Sequence, residues 1–426
     1  MAASPLIEEL SGSAAGPMIA DLAGLAADAP LVPDIEAFGS LRPARKLAIY
    51  GASAGYELVE ELDFLAARAI ESNIFFNPRF LAPAMPRLED RDVRLAVIRD
   101  GDEAKNRLRF LMPFSVERPT IPLGVSILRT WSSHFGPLGA PLVDRDDPVG
   151  VIEDFFDMIA RPSTGLPSVA VFPDMRLSGS VARLLRTVAI GRNLPVLTVG
   201  LYDRPILQSV ADGDAYLRQT LSGHHWRDFN RLKRRLAEKG EFAYEVARGA
   251  DDVRQALEDF LSLEQSGWKG RERSAMASDR YRAAFAREAI NSLAELDKVR
   301  IHSFRLDGRT VASLIVFIDA GIAHTWKTAF DEDLSAFSPG TLLMMEATRT
   351  HLDDPNIDMT DSCATPDHPV MSRLWSERES MGTLVIGLTP AADRAARQAA
   401  AQIHLYSETR AFAKRMRDKL LDLVRR

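Results

Sequence analysis

The stretch VRIHSFRLDGRTVASLIVFI, residues 299–318, decides the fold because it has a counterpart earlier in the chain. It is a strand-like run that meets Asp307-Gly308, the strongest short-range hairpin signal, and continues into a second apolar run. Residues 93–100 read VRLAVIRD, followed by Gly101, and the apolar run RLRFLMPFSV comes next at 107–116. Further along, TWKTAF at 325–330 answers TWSSHF at 130–135, and each leads through a Gly/Pro turn into a helical pattern. The offset is about 200 residues both times, which predicts two copies of one α/β module. Each copy reads as helices, antiparallel strands, a turn, then helix and strand.

Composition agrees with a chain of more than one core. With 426 residues, 46% of them hydrophobic, it exceeds the usual single-domain length of about 100–200 residues. The balance of 53 basic against 59 acidic residues, net −6, argues against nucleic acid as main partner. One cysteine permits no intramolecular disulfide, and the histidines and carboxylates show no zinc-ligand spacing, so no metal is expected.

Residues 1–45 are Ala/Gly/Pro-rich, with acidic residues where a signal peptide is positive, and read as a flexible leader. The longest apolar run is far below the roughly 20 residues that span a bilayer. A cytoplasmic protein is expected, with an N-terminal module over 46–205 and a C-terminal module over 206–390. The tail, 391–426, reads as a basic amphipathic helix with Leu405, Phe412, Met416, Leu420 and Leu421 near one stripe. It can dock on the second module, pair two copies into a homodimer, or touch an anionic membrane at its inner face.

In the second copy, 215–240 looks like one helix ending at Gly240, and 251–268 like another with acidic residues suited to its N-terminal dipole. Arg231, Lys233, Arg234 and Arg235 on the first can attract an anion or simply form a solvated face. Ser338-Pro339-Gly340 opens a helix just after a strand ends, so free backbone N–H groups and a positive dipole end face the strand's end. An ordinary helix start looks the same. His324, Trp326 and Lys327 lie on the preceding strand, and strict alternation puts Trp326 and Lys327 on opposite faces.

TWKTAFDEDLSAFSPGTLL, with EQSGWKGRERSAM (264–276) and DSCATPDHPVMSRLWSERE (361–379), resembles the CelD-type acyltransferases of the GNAT superfamily, relatives of the tandem-GNAT Fem transferases. The similarity is clearest over about 215–390 and fainter in the first module, where SNIFFNPRFL (72–81) is the most family-like piece. The fold class so implied is α/β: two fused GNAT-like modules, each a mixed, largely antiparallel sheet flanked by helices. The resemblance implies an acyl-CoA donor held in the C-terminal module by Ser338, Gly340, Thr341, Leu342 and Lys327, and an acceptor amine entering between modules. The first module has GPLGAP (136–141) in place of a phosphate loop, so one donor site per chain is expected.

Acyl transfer from a thioester needs a base for the amine and stabilisation of the oxyanion. In DSCATPDHP, His368 is the candidate base and Asp361 either orients it or binds the acceptor's ammonium. Cys363 can accept the acyl group covalently, although GNAT relatives transfer directly and a free cysteine is more often a small buried apolar residue. Glu264, Trp268, Lys269 and Arg271, with Trp326, are candidates for clamping a substrate by stacking and charge; the competing reading makes Trp268 core and the cations solvated. The function expected is N-acylation of an amine on a cell-envelope sugar or lipid precursor, an amino sugar or a sphingoid base. The alternatives are a non-catalytic scaffold of envelope polysaccharide synthesis and, less favoured, an aminoacyl-tRNA-dependent transferase.

Overall fold

The computed structural model describes residues 3–10, 44–88, 92–101, 106–119, 124–366 and 368–424. Fourteen strands are described: β1 Ile7–Leu10, β2 Arg45–Gly51, β3 Arg94–Asp100, β4 Leu108–Glu117, β5 Ile127–Thr130, β6 Leu142–Val143, β7 Val169–Arg176 and β8 Val196–Leu207. The second half holds β9 Phe242–Ala247, β10 Val299–Leu306, β11 Arg309–Asp319, β12 Ile322–Phe330, β13 Met359–Asp361 and β14 Glu377–Gly387. Helices α1 Ala54–Glu57, α2 Val59–Ala66, α3 Pro78–Leu88, α4 Pro148–Ile159 and α5 Ser180–Gly191 flank the first set. The second set carries α6 Gly213–Thr220, α7 Gly223–Ala237, α8 Ala250–Ser266, α9 Trp268–Arg271, α10 Arg280–Ala294, α11 Pro339–Asp353, α12 Met371–Leu374 and α13 Asp393–Val424.

One sheet runs β1-β2-β3-β4-β5-β7-β14-β8-β13-β12-β11-β10-β9, with β6 beside β4. Read inward from each end, β2-β3-β4-β5-β7 matches β9-β10-β11-β12-β13. In each half the first four strands are antiparallel and the last pair parallel, β5 with β7 and β12 with β13. The sequence repeat maps onto these strands: 93–100 onto β3, 299–307 onto β10, and TWKTAF onto β12. Asp307 (φ 50) and Gly308 (φ 75) form a two-residue turn that pairs Leu306 with Arg309, a geometry favoured by right-handed strand twist.

The centre holds an arrangement absent from the repeat pattern. Strand β8 follows the first module's β7 but pairs with β13 of the second, and β14 from the second pairs with β7 of the first. The two then pair with each other from Glu377–Ile206 to Ile386–Val196. Each module is thus completed by a strand from the other, which gives a continuous sheet instead of two closed units.

Apolar side chains fill both faces. One core joins Leu62, Phe75, Phe76 and Phe80 of the first half to Phe260, Phe285, Ile315 and Phe317 of the second. Another is built in the first half from Phe110, Phe155, Phe156 and Phe172, and a third in the second half from Leu217, Leu236, Leu343 and Trp375. Three sequence expectations are corrected. The leader contains a strand at Ile7–Leu10, paired with β2 from Ile7–Ile49 to Leu10–Lys46, and Arg45 opens β2; residues 11–43 lie outside those described. The helix expected over 215–240 is two, because Ser222 accepts from the His225 N–H and starts α7 afresh. Helix α13 docks through Ala396, Ala399 and Ala400 on Val385 of the second module's β14 and also on Val169 and Val171 of the first module's β7, so it rests on both modules and not on the second alone. The side chains of Phe412, Leu420 and Leu421 lie outside the described residues. Among the described residues no helix is long and apolar enough to cross a membrane.

Candidate functional site

Two helices start at the same place in the repeat, after β5 and after β12, and comparing them locates the open site. Asp147, before α4, and Ser338, before α11, both have left-handed backbone (φ 53 and φ 52), and each is followed by a proline. At α4 the Asp147 carboxylate occupies the helix start: it accepts from the Gly150 N–H at 3.1 Å and pairs with Arg45 at 2.7 Å. At α11 Ser338 makes no capping bond, and its own carbonyl accepts from Leu342. The N–H groups of Gly340 and Thr341 are therefore left at the positive end of the helix.

Two basic residues stack on Phe337, the residue just before Ser338. Arg235 and Lys239 lie over the ring of Phe337, 5.6 and 5.8 Å from its centre, and among the described residues neither is in an ion pair. Of the other cations singled out on this helix, Arg231 pairs with Asp228 and Lys233 with Glu346. A Cβ at Gly340 would lie 3.1 Å from the Phe330 ring, a tight contact to which that ring would have to give way. Leu342 does not belong to the ligand set: its side chain is buried in the second half's core and its N–H is used.

A shallow, half-open cleft lies beside β12, between Glu264, Trp268 and Lys269 on one side and Thr328, Ala329 and Phe330 on the other. Glu264 is 2% exposed and fully used: Lys269 donates to Oε1 at 3.0 Å and the Met276 N–H to Oε2 at 2.7 Å. Lys269 also donates to the Thr328 carbonyl at 2.8 Å, tying α9 to the strand. Glu332 accepts from the Trp268 N–H and from Arg271. Trp268 itself is 46% exposed, so the reading of it as core is ruled out.

The alternation expected of Trp326 and Lys327 fails. Ile315 pairs with Lys327 and Val316 with Thr325, so Trp326 is an extra residue in the ladder, a β-bulge. The bulge turns both side chains toward one face. Trp326 donates from Nε1 to the Phe135 carbonyl at 2.7 Å and packs on Phe80, Phe285 and Phe317, while the Lys327 ammonium sits 4.7 Å from the centre of the Phe135 ring. Phe135 belongs to TWSSHF, so a loop of the first module reaches β12 of the second. Burial pushes Lys327 down to about 8, with Lys269 and Arg282 acting in the same direction and Glu264 against it.

Next to the cleft, at the exchange of β8 and β14, lies a buried ionic group. Asp361 Oδ2 accepts from Arg176 at 3.1 Å and Arg204 at 3.2 Å, and Oδ1 from the Cys363 N–H at 2.7 Å. Arg204 also donates to the Pro137 carbonyl and to the Tyr202 hydroxyl, which in turn donates to Asp174 at 3.0 Å. Burial opposes ionisation of Asp361, but the two guanidiniums overcome it and hold the carboxyl well below the usual range. Arg176 donates to Nε2 of His324 at 3.2 Å, which assigns the imidazole's proton to Nδ1, a buried atom with no partner among the described residues.

These contacts separate the residues of DSCATPDHP. Asp361 is committed to two arginines, so it does not orient His368. His368 is half-buried, and its Nδ1 accepts from the Met371 N–H at 3.3 Å. The neutral ring then carries its proton on Nε2, and taking another at Nδ1 requires that contact to open. Burial and the neighbouring Asp361 push the Cys363 thiol well above its usual value, the opposite of an activated nucleophile. Among the described residues no group of three His, Cys, Asp or Glu could hold a metal ion.

Residues 223–363 match the family described as Acetyltransferase (GNAT) domain. The matched stretch runs from the first residue of α7 to Cys363 and includes the cleft and the α11 start. Among solved structures, FemX aligns at 10% identity with TM-score 0.50, over 77% of this chain and 95% of its own. A tandem GNAT protein from the clavulanic acid biosynthesis pathway aligns at 14% identity and TM-score 0.39, over 81% of this chain and 99% of its own. The C-terminal domain of a protein assigned as a lysylphosphatidylglycerol synthetase from Agrobacterium fabrum aligns at 13% identity and TM-score 0.49, over 81% and 96%. At 10% identity the likeness to FemX speaks to fold alone. No curated protein matches this chain.

Arg176, Arg204, Phe135, Asp174 and Arg282 went unnoticed in the sequence. Only Phe135 carried a signal, its place in the repeated TWxxxF.

Proposed function

We propose that this chain is an acyl-CoA-dependent N-acyltransferase with one donor site, acting on an amine of a cell-envelope sugar or lipid precursor. The observation that carries the reading is the contrast between the two equivalent helix starts, one filled by Asp147 and the other, at Ser338-Pro339-Gly340, without a capping side chain and preceded by Phe337, on whose ring Arg235 and Lys239 stack. A pyrophosphate fits such an end, because free N–H groups, the dipole and two exposed cations all favour negative charge. The pantetheine arm would then follow β12 along Thr328 and Ala329. The bulge at Trp326 leaves a residue outside the β11 ladder, and its backbone N–H is our candidate donor to the developing oxyanion. The envelope acceptor rests on the CelD-type resemblance of the three sequence motifs.

Transfer is direct in this account, with His368 taking the proton when its Met371 contact opens. Cys363→Ser is expected to retain turnover and to show no acyl adduct by intact-mass spectrometry; an inactive variant together with an adduct on the parent would make the thiol the acceptor. The reading as a whole is tested by thermal stabilisation with acetyl-CoA, octanoyl-CoA, palmitoyl-CoA and free CoA. A ligand at 100 times its dissociation constant adds about 2.7 kcal/mol to stability. Stabilisation by one acyl-CoA, followed by CoA release with an amine, is expected; no shift with any of the four, in folded protein, turns the assignment toward a scaffold. Replacing Arg235 and Lys239 together by alanine is expected to weaken acyl-CoA binding about tenfold, a loss of about 1.4 kcal/mol, while the protein's own melting temperature falls only by the loss of two exposed cation–π contacts.

A further inference from the structure

Phe135 carries two cations. The Lys327 ammonium lies 4.7 Å and the Arg282 guanidinium 5.9 Å from the centre of its ring. Among the described residues neither has a carboxylate within ion-pair distance, although Glu264 is close enough to act on Lys327. Both oxygens of Glu264 are already taken, by Lys269 and by the Met276 N–H. Lys269, Lys327 and Arg282 thus bring together three positive charges, faced by Glu264 and, at the start of α10, by Asp279, which accepts from the Arg282 backbone N–H at 2.9 Å and acts on its charge without an ion pair.

The three come from different elements. Phe135 belongs to the loop after β5 of the first module, Lys327 to the strand bulge, and Arg282 to α10. The ring of Phe135 is 3% exposed and fixed by the Trp326 indole bonded to its carbonyl. Stacking on a ring face eases the crowding of like charges only in part, since each cation–π contact contributes about 0.5–2 kcal/mol. An anion between the two cations would relieve it fully.

We propose that Lys327 and Arg282, gathered on Phe135, bind an anionic group carried by the acceptor, a phosphate or a carboxylate, so that the acceptor is an anionic amine. This rests on the acyltransferase reading for the word acceptor, while the anion site itself does not. The first module then contributes to acceptor selection through Phe135, and the donor's phosphates belong elsewhere, at the α11 start.

The test is the labelling rate of Lys327 by an amine-reactive anhydride at pH 8, read by peptide mass spectrometry, with phosphate, acetate or chloride at equal ionic strength. Slower labelling of Lys327 in phosphate or acetate than in chloride is expected, by several-fold, and the better of the two anions names the acceptor's group. In folded Arg282→Gln that protection should disappear. The experiment is repeated with saturating CoA: protection by phosphate should persist, since the sites differ. Equal rates in all three salts overturn the proposal, as does protection by CoA to which phosphate adds nothing. Acyl-CoA binding without anion protection of Lys327 sinks this site alone, whereas anion protection without acyl-CoA binding sinks the donor assignment alone.

Discussion

Asp361→Ala should lower the unfolding free energy by about 3–5 kcal/mol, because it leaves two buried guanidiniums with no carboxylate between them. Arg204 is 1% exposed, Arg176 5% and Asp361 0%, so water cannot take over the lost charge. The aspartate also ties three strands that meet only because the modules exchange β8 and β14: it sits on β13 and holds Arg176 of β7 and Arg204 of β8. Asp361→Asn keeps an acceptor for the Cys363 N–H and removes only the charge, so it should be nearly as damaging. Urea unfolding of both variants measures this. A loss below about 1 kcal/mol in each would mean that the ionic group does not hold the module junction.

The second large effect is with pH. His302, His324 and His351 are buried and neutral; burial pushes His324 and His351 down to about 4 and His302 well below its usual value. In the unfolded chain each takes up a proton near pH 6.5, whereas in the folded protein His324 and His351 resist until about pH 4 and burial holds His302 neutral well below its usual range. The unfolded state therefore binds more protons between those limits, and acid favours it. Stability should be full above pH 6.5 and fall toward pH 5 by about 2 kcal/mol for each histidine. Asp361 shifts in the opposite sense of charge but loses its stabilising effect only below the ordinary carboxylate range, so the two windows separate. His351→Gln, which can keep a bond to the Thr360 hydroxyl that His351 now contacts at 3.0 Å, should flatten the curve by one histidine's share. A melting temperature unchanged between pH 7 and pH 5 would contradict the assignment of these rings as neutral.

What could be read from the sequence was local. Residues 299–318 and their earlier counterpart predicted the antiparallel strands, since hairpin turns and apolar runs act over a few residues. Ser338-Pro339-Gly340 marked a helix start for the same reason. The exchange of β8 and β14 lay outside that reach, because a strand's hydrogen-bonding edge does not encode which of two similar partners it meets. Arg176 and Arg204 therefore looked like ordinary arginines on strands. Trp326 and Lys327 were expected on opposite faces and share one, because a bulge of one residue breaks the alternation and nothing in TWKTAF announces it. Asp361 and His368 stand seven positions apart in a loop that suggested a pair, but Asp361 was already claimed by residues more than 150 positions away.

The central claim is that the open start of α11 holds the phosphates of an acyl-CoA. Calorimetric titration of acetyl-CoA and octanoyl-CoA into the full chain and into the Arg235→Ala, Lys239→Ala double variant tests it most directly. The account predicts one acyl-CoA per chain for the parent and about tenfold weaker binding in the variant. Two equivalents per chain, equal affinity in the variant, or no heat from either ligand would contradict it.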